Sequence, residues 1–232
     1  MRLLNAETLR FKTFFSDDQT PPYAILSHTW GDEEVSYQDM MYEEVIDNLS
    51  YQKIIETAKI AKQKHLDYFW VDTCCIDKTS SAELQEAINS MWRWYRTSAY
   101  CAVYLEDSKD SQSRWITRGW TLQELIAPRN VWFYDCNWLP TFDKLSGLDV
   151  IEEITKIPKQ VLSTSDLSMS SVAQKMSWAA NRKTTRIEDA AYSLMGLFDV
   201  HMPMLYGEGD NAFRRLQEQI IKTDPDDSIL DW

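Results

Sequence analysis

Trp120 and Glu124 are the two residues whose types and spacing most directly suggest chemistry. They lie four positions apart in the segment RGWTLQEL, Arg118–Leu125, and on a helix this spacing puts both side chains on one face. A fixed carboxylate can stabilise positive charge that develops during a reaction, and an indole can stack on a planar cation. The pair therefore suggests a site where positive charge develops on a bound substrate.

The elements around this segment would hold the pair at the edge of a sheet. The helix is expected to end before Pro128, and apolar runs that predict strands flank it at Tyr100–Leu105 and Val131–Tyr134. Ligands usually bind at the edge of such α/β sheets.

Two further apolar runs, Tyr23–His28 and Tyr68–Asp72, predict strands earlier in the chain. An amphipathic helix is predicted for Leu49–His65. The capping-box spacing of Ser80 and Glu83 predicts that a second helix begins there. Each crossover between strands is long enough for a parallel connection and contains a helix. The pattern predicts a doubly wound parallel sheet of four or five strands.

The strand signal fades beyond Asn137, and the remainder is predicted to be helical. We therefore expect an α/β core at 1–137, a helical extension packed on it at 138–223, and a linker at 224–232. The predicted helices of the extension are Leu145–Ile157, Ser170–Asn181, Ile187–Phe198 and Asn211–Lys222.

Composition excludes several classes of protein. The 232 residues carry a formal charge of −12, which argues against a duplex nucleic-acid surface. No apolar stretch approaches the roughly 20 residues of a membrane span, and the first residues lack a secretory apolar core. We expect a cytoplasmic protein whose four cysteines are reduced.

Four separated motifs carry a family resemblance. YAILSHTWG, WVDTCCIDK, RGWTLQELIAPR and RIEDAAYSLMGLFDV, in this order, resemble the fungal heterokaryon-incompatibility (HET) domain. Among HET proteins the chain is most similar to the N-terminal domain of NLR-like receptors that continue into a NACHT module and WD repeats. This resemblance implies a role in cell death after fusion of unlike hyphae, and self-association when the parent receptor is activated.

A second resemblance concerns the reaction. The strand–helix–strand order around Glu124 is similar to that of TIR domains, which implies a TIR-like (flavodoxin-like) fold and cleavage of NAD⁺ as a substrate, with no resident cofactor. By position Glu124 matches the glutamate that cleaves NAD⁺ and Trp120 matches the tryptophan, whereas Thr121 stands where TIR domains usually have cysteine. Loss of a neutral pyridine leaves positive charge on the ribose, which one carboxylate could stabilise.

The remaining predicted contacts come from loops and from the extension. The ends of the first two strands are expected to supply pocket residues, and arginines are expected to bind the diphosphate. No glycine-rich phosphate loop and no metal-ligand spacing is found. The predicted substrate contacts besides Trp120 are His28, Thr29, Trp30, Asp72, Thr73, Arg118, Arg182 and Arg186.

Other interpretations stay open at this stage. Glu124 could be a solvated helix carboxylate, Trp120 core packing and His28 a structural histidine, while Arg182 and Arg186 could pair with nearby acids. The domain could be a non-enzymatic adaptor that signals by homotypic contacts. It could also be a thiol hydrolase that uses Cys74 or Cys75 with His28 as base.

Overall fold

A computed structural model describes residues 1–42, 49–107 and 113–231 of the chain. Within these residues the strands form one sheet of seven, with the order β2-β1-β4-β3-β5-β6-β7. The strands are β1 (Arg2–Asn5), β2 (Phe11–Thr13), β3 (Tyr23–His28), β4 (Tyr68–Trp70), β5 (Tyr100–Tyr104), β6 (Val131–Tyr134) and β7 (Pro140–Asp143).

The four central strands confirm the predicted parallel sheet. Tyr23 of β3 is in register with Tyr68 of β4, and Ala24 with Tyr100 of β5, both in parallel pairs. The chain moves from β3 to its neighbour β4 on one side, and then from β4 past β3 to β5 on the other side. Right-handed crossovers therefore place the helices of these two connections on opposite faces of the sheet. The order in which strands are added across the sheet reverses at the boundary between β3 and β5, and α/β sheets usually bind ligands in the crevice at such a boundary.

The helices of the described residues include all those predicted for the α/β core. Leu49–His65 is a helix from Leu49 to Gln63, and the helix predicted from Ser80 begins at Ser81, with the Ser80 hydroxyl accepting the Glu83 amide at 3.3 Å. None of the described helices is long and apolar enough to cross a membrane. The α-helices of the described residues are α1 (Tyr37–Met41), α2 (Leu49–Gln63), α3 (Asp72–Cys75), α4 (Ser81–Thr97), α5 (Arg114–Thr117), α6 (Thr121–Ile126), α7 (Leu148–Thr155), α8 (Lys159–Thr164), α9 (Val172–Ser177), α10 (Asp189–Tyr192) and α11 (Asn211–Thr223).

Three antiparallel strands at the sheet edges were not predicted. β1 and β2 form a hairpin that pairs with β4, and β7 pairs with β6. These strands, RLLN, FKT and PTFD, lack the continuous apolar run that marks the equally short β4 and β6. They are stabilised by pairing with a neighbour. The sheet therefore continues past residue 137, where the strand signal fades in the sequence.

The extension contacts the core through backbone as well as side chains. The Gly119 amide donates to the Lys183 carbonyl at 2.9 Å, and the Lys183 amide donates to the Thr117 carbonyl at 2.6 Å. The predicted helix Asn211–Lys222 is confirmed as α11, but the other three are shorter than predicted: Ile187–Phe198, for example, contains α10 and a 3₁₀ turn at Met195–Leu197.

The predicted linker is partly docked. Asp226 and Ser228 accept hydrogen bonds from the Val172 and Ala173 amides at the start of α9, at 2.7 and 3.0 Å. These oxygens satisfy amides that a helix leaves free at its N-terminus. Trp232, the last residue of the predicted linker, lies outside the described residues.

Candidate active site

A cavity of about 260 Å³ lies at the carboxyl ends of β3 and β4, beside α6. Its lining also includes residues that follow β5, so the cavity lies next to the boundary between β3 and β5 where a ligand crevice is expected. Sequence motifs that are far apart in the chain meet in its walls. The predicted site residues in its lining are His28, Trp30, Asp72, Arg118, Trp120, Glu124 and Arg186.

Glu124 is held inside this cavity by a chain of hydrogen bonds. It lies on α6 and only 7% of its surface is exposed. The Ser27 hydroxyl, at the end of β3, donates to Glu124 Oε2 and accepts the Trp115 indole N–H at 2.8 Å. Because an indole nitrogen can only donate, the Ser27 proton points towards Glu124. The chain fixes the carboxyl group in one orientation.

The protonation state of Glu124 differs from the expected carboxylate. Burial raises its pKa to about 8, and the charge of Asp72 adds to the rise, against the opposing effects of Ser27, Tyr95 and Arg118. The Tyr95 hydroxyl donates its single proton to the Leu26 carbonyl at 3.0 Å. At pH 7 and without a ligand, Glu124 is therefore mainly neutral.

Trp120 lines the same cavity one turn before Glu124, as the spacing predicted. It occupies the N-cap position of α6 and is half-buried. Its side chain is hydrogen-bonded to Asp189, which also accepts the Tyr206 hydroxyl at 2.9 Å. Burial raises the pKa of Asp189, against these hydrogen bonds. The extension therefore positions the indole.

His28 and Asp72 form a polar pair at the ends of β3 and β4. His28 Nε2 lies 3.1 Å from Asp72 Oδ1, and its Nδ1 lies 3.1 Å from the Thr29 carbonyl. Both ring nitrogens therefore lie within hydrogen-bond distance of an oxygen, and these contacts hold the ring in one orientation. Trp30 Nε1 donates to Asp72 Oδ2 at 2.8 Å.

The charge of Asp72 is fixed by these partners. Burial alone would raise its pKa, but hydrogen bonds from His28 and Trp30 and the nearby Lys78 charge lower it to about 2. Asp72 therefore remains a carboxylate throughout the neutral range and is a poor base.

Glu34 holds the loop after β3 in place through three hydrogen bonds. Its carboxylate accepts Lys53 Nζ at 2.7 Å, the Ser50 hydroxyl at 2.6 Å and the Gly31 amide at 2.7 Å. Burial opposes ionisation of Glu34, yet the His28 charge and these hydrogen bonds lower its pKa. The loop that carries Trp30 is thus tied to α2.

Three of the predicted contact residues, Thr29, Thr73 and Arg182, lie outside the cavity lining. The Arg182 guanidinium donates to the Arg118 carbonyl at 2.9 Å and to Thr121 Oγ1 at 3.0 Å, so it holds the start of α6 in place. Thr29 and Thr73 are 3% and 2% exposed. The carbonyl of Thr29 accepts Lys53 Nζ at 3.2 Å, a structural role.

The cysteines do not support a thiol hydrolase. All four are free thiols, as expected, but Cys74 and Cys75 are buried and outside the cavity lining. Burial raises the pKa of the Cys74 thiol well above its ordinary value. The two ring nitrogens of His28 contact the Thr29 carbonyl and Asp72, and neither contacts a cysteine. His28 is therefore not placed to take a proton from a thiol.

Several lining residues were missed by sequence reasoning. Lys78 belongs to the WVDTCCIDK motif, and Asp189 to the RIEDAAYSLMGLFDV motif, so the motifs marked the right segments. Their side chains gave no signal because charged residues in loops are common. The missed residues of the lining are Ile76, Lys78, Leu84, Ile88, Met91, Thr121, Thr185, Asp189 and Tyr206.

Comparison with known proteins agrees with the motifs. Residues 23–114 match the family described as Heterokaryon incompatibility protein (HET). The chain carries a HET domain. It is also 48% identical, over 245 aligned residues, to the Vegetative incompatibility protein HET-E-1 of Podospora anserina. The alignment covers 97% of this chain and 18% of that protein, so the chain spans less than a fifth of the length of this relative. No solved structure matches the chain.

Proposed function

We propose that this HET domain is an effector of incompatibility cell death in the cytoplasm and that it acts by cleaving NAD⁺ to nicotinamide and ADP-ribose. The family match and the relative named for vegetative incompatibility support the first part. The second part is supported by one observation: Glu124, the residue that corresponds to the TIR glutamate, is buried in a cavity beside Trp120.

The cavity suits the nicotinamide end of the substrate. Its inner wall carries Glu124 and Asp72, and Trp120 offers an aromatic face to a planar cationic ring. At about 260 Å³ it is smaller than the roughly 300–1,000 Å³ of whole-ligand pockets. Nicotinamide and its ribose would occupy the cavity, and the adenosine half would lie outside.

The reaction needs a base more than an acid. When the bond between the ribose and the pyridine nitrogen breaks, its electron pair stays on nitrogen and nicotinamide leaves neutral. Water then adds to the sugar carbon and gives a proton to the Glu124 carboxylate. A carboxyl pKa of about 8 makes Glu124 a stronger base than an exposed glutamate. The bound cation would also favour its ionised form.

The test is nicotinamide release by purified domain, both concentrated and tethered to an oligomeric carrier that imitates assembly of a receptor. Glu124→Gln keeps the size of the side chain and should lower the rate by about 100- to 1,000-fold. The matched control is Glu56→Gln, at a half-buried position on α2 outside the cavity lining. We expect this control to release nicotinamide at the wild-type rate.

The pH dependence makes the test sharper. If the ionised form of Glu124 is required, kcat/KM should rise almost tenfold per pH unit below about 8 and then level off. Absence of nicotinamide release by the assembled domain, with killing retained by Glu124→Gln in cells, would replace the enzyme with the adaptor. Loss of killing in a cysteine variant alone would point to the thiol hydrolase.

A further inference from the structure

Three cations line the cavity without forming an ion pair within the described part of the chain, and two of them, Lys78 and Arg186, are exposed at its mouth. The chain has 36 acidic residues and 24 Lys and Arg, so a cation on its surface is readily paired. Lys78, Arg118 and Arg186 nevertheless form no ion pair with any carboxylate of the described residues, although all three line the cavity. Elsewhere Arg2, Lys53, Arg114 and Arg215 are paired.

Aromatic rings hold two of these cations at the mouth. Lys78 Nζ lies 3.7 Å from the ring centroid of Trp30, and the Arg186 guanidinium carbon lies 4.4 Å from that of Tyr206. Lys78, Arg186 and Trp30 are exposed. A cation on a ring face keeps its N–H donors free for a ligand.

The carboxylates nearest to these cations have other partners. Asp72 is hydrogen-bonded to His28 and Trp30, and Asp189 to Tyr206 and Trp120. Glu124 is buried whereas Lys78 and Arg186 are exposed, so the cavity has a carboxyl group within and two cationic groups at its solvent-facing side. A ligand with matching polarity carries its positive charge inside and its negative charges outside.

We propose that Lys78, Arg118 and Arg186 form a diphosphate subsite, and that Lys78 makes the domain select a dinucleotide over the corresponding nucleoside. The proposal rests on the proposed function for the identity of the ligand. NAD⁺ has the required polarity, with a pyridinium at one end and a diphosphate next to the ribose. Lysine and arginine bind phosphate oxygens by charge-assisted hydrogen bonds.

Binding of ADP-ribose, measured by calorimetry, tests the subsite without any turnover. Lys78→Met should weaken ADP-ribose binding by about tenfold to a hundredfold, the range for one hydrogen bond to a charged group. Lys78→Arg should restore most of the affinity. The control is Lys64→Met, because Lys64 also lies over aromatic rings, 4.8 Å from the Tyr100 centroid, but outside the cavity.

Kinetics give a second readout. With NAD⁺, Lys78→Met should raise KM by a much larger factor than with nicotinamide riboside, which has no phosphate for Lys78 to bind. Equal ADP-ribose affinity in wild type and Lys78→Met, or no binding at millimolar concentration, would overturn the subsite. Binding that depends on Lys78 without any nicotinamide release would leave the subsite standing and refute the proposed reaction.

Discussion

Replacing Glu124 with glutamine should stabilise the fold at neutral and alkaline pH. Burial raises the pKa of this carboxyl from 4.5 to about 8. Above pH 4.5 the unfolded chain loses the proton while the folded chain keeps it, so the free energy of unfolding falls as the pH rises, until the folded pKa is passed. Glutamine is neutral at every pH and removes this dependence. An exposed glutamate, by contrast, would leave stability nearly unchanged on replacement.

The size of the effect follows from the two pKa values. Each unit corresponds to about 1.4 kcal/mol, so a shift from 4.5 to about 8 costs the folded state roughly 4–5 kcal/mol above pH 8. At pH 7 the cost is about 3 kcal/mol, at pH 5 about 1 kcal/mol, and near pH 4 it vanishes. The exposed fraction of Glu124 is only 7%, so solvent screening reduces these figures little.

Urea unfolding of wild type and Glu124→Gln between pH 4.5 and 9 measures the difference directly. We expect the variant to gain stability steadily with pH, and the control Glu56→Gln to follow the wild type within about 0.5 kcal/mol. A variant that is less stable than wild type at pH 8, or whose difference is independent of pH, would show that Glu124 is ionised in the folded protein. The base proposed for the reaction would then have an ordinary pKa.

Three further predictions follow from local contacts. Arg182→Lys should lower the free energy of unfolding by about 1–3 kcal/mol, because lysine has no second nitrogen to replace Nε, which donates to the Trp178 carbonyl at 3.2 Å while Nη1 donates to the Arg118 carbonyl and Thr121 Oγ1. Arg186→Met should change it by less than about 0.5 kcal/mol in urea unfolding. Gly119→Ala should lower the thermal midpoint, since the new Cβ would lie 2.5 Å from Thr184 Cγ2, and adding Thr184→Ser should restore part of the loss. Cys74→Ser should keep wild-type nicotinamide release, because the buried thiol lies outside the cavity.

The sequence determined the order of the central elements. The apolar run at Tyr23–His28 is buried on both faces of the sheet, and that at Val131–Tyr134 is buried except for the half-buried Trp132, so hydrophobicity alone revealed them. The spacing of Trp120 and Glu124 placed both side chains in one cavity. Local periodicity suffices for such features because adjacent turns of a helix and adjacent residues of a strand have fixed directions.

Tertiary structure decided the chemistry that depends on neighbours distant in the chain. The pKa of Glu124 is set by burial and by Asp72, 52 positions earlier, and no local pattern encodes either. Arg182 and Arg186 are alike in sequence, yet one clamps α6 and the other lines the cavity. Lys78 and Arg186 line the same cavity only because the extension, which carries Arg186, packs against the α/β core. Packing removes water from buried groups and brings together residues that are distant in the chain, which is why both effects appear only in the folded protein.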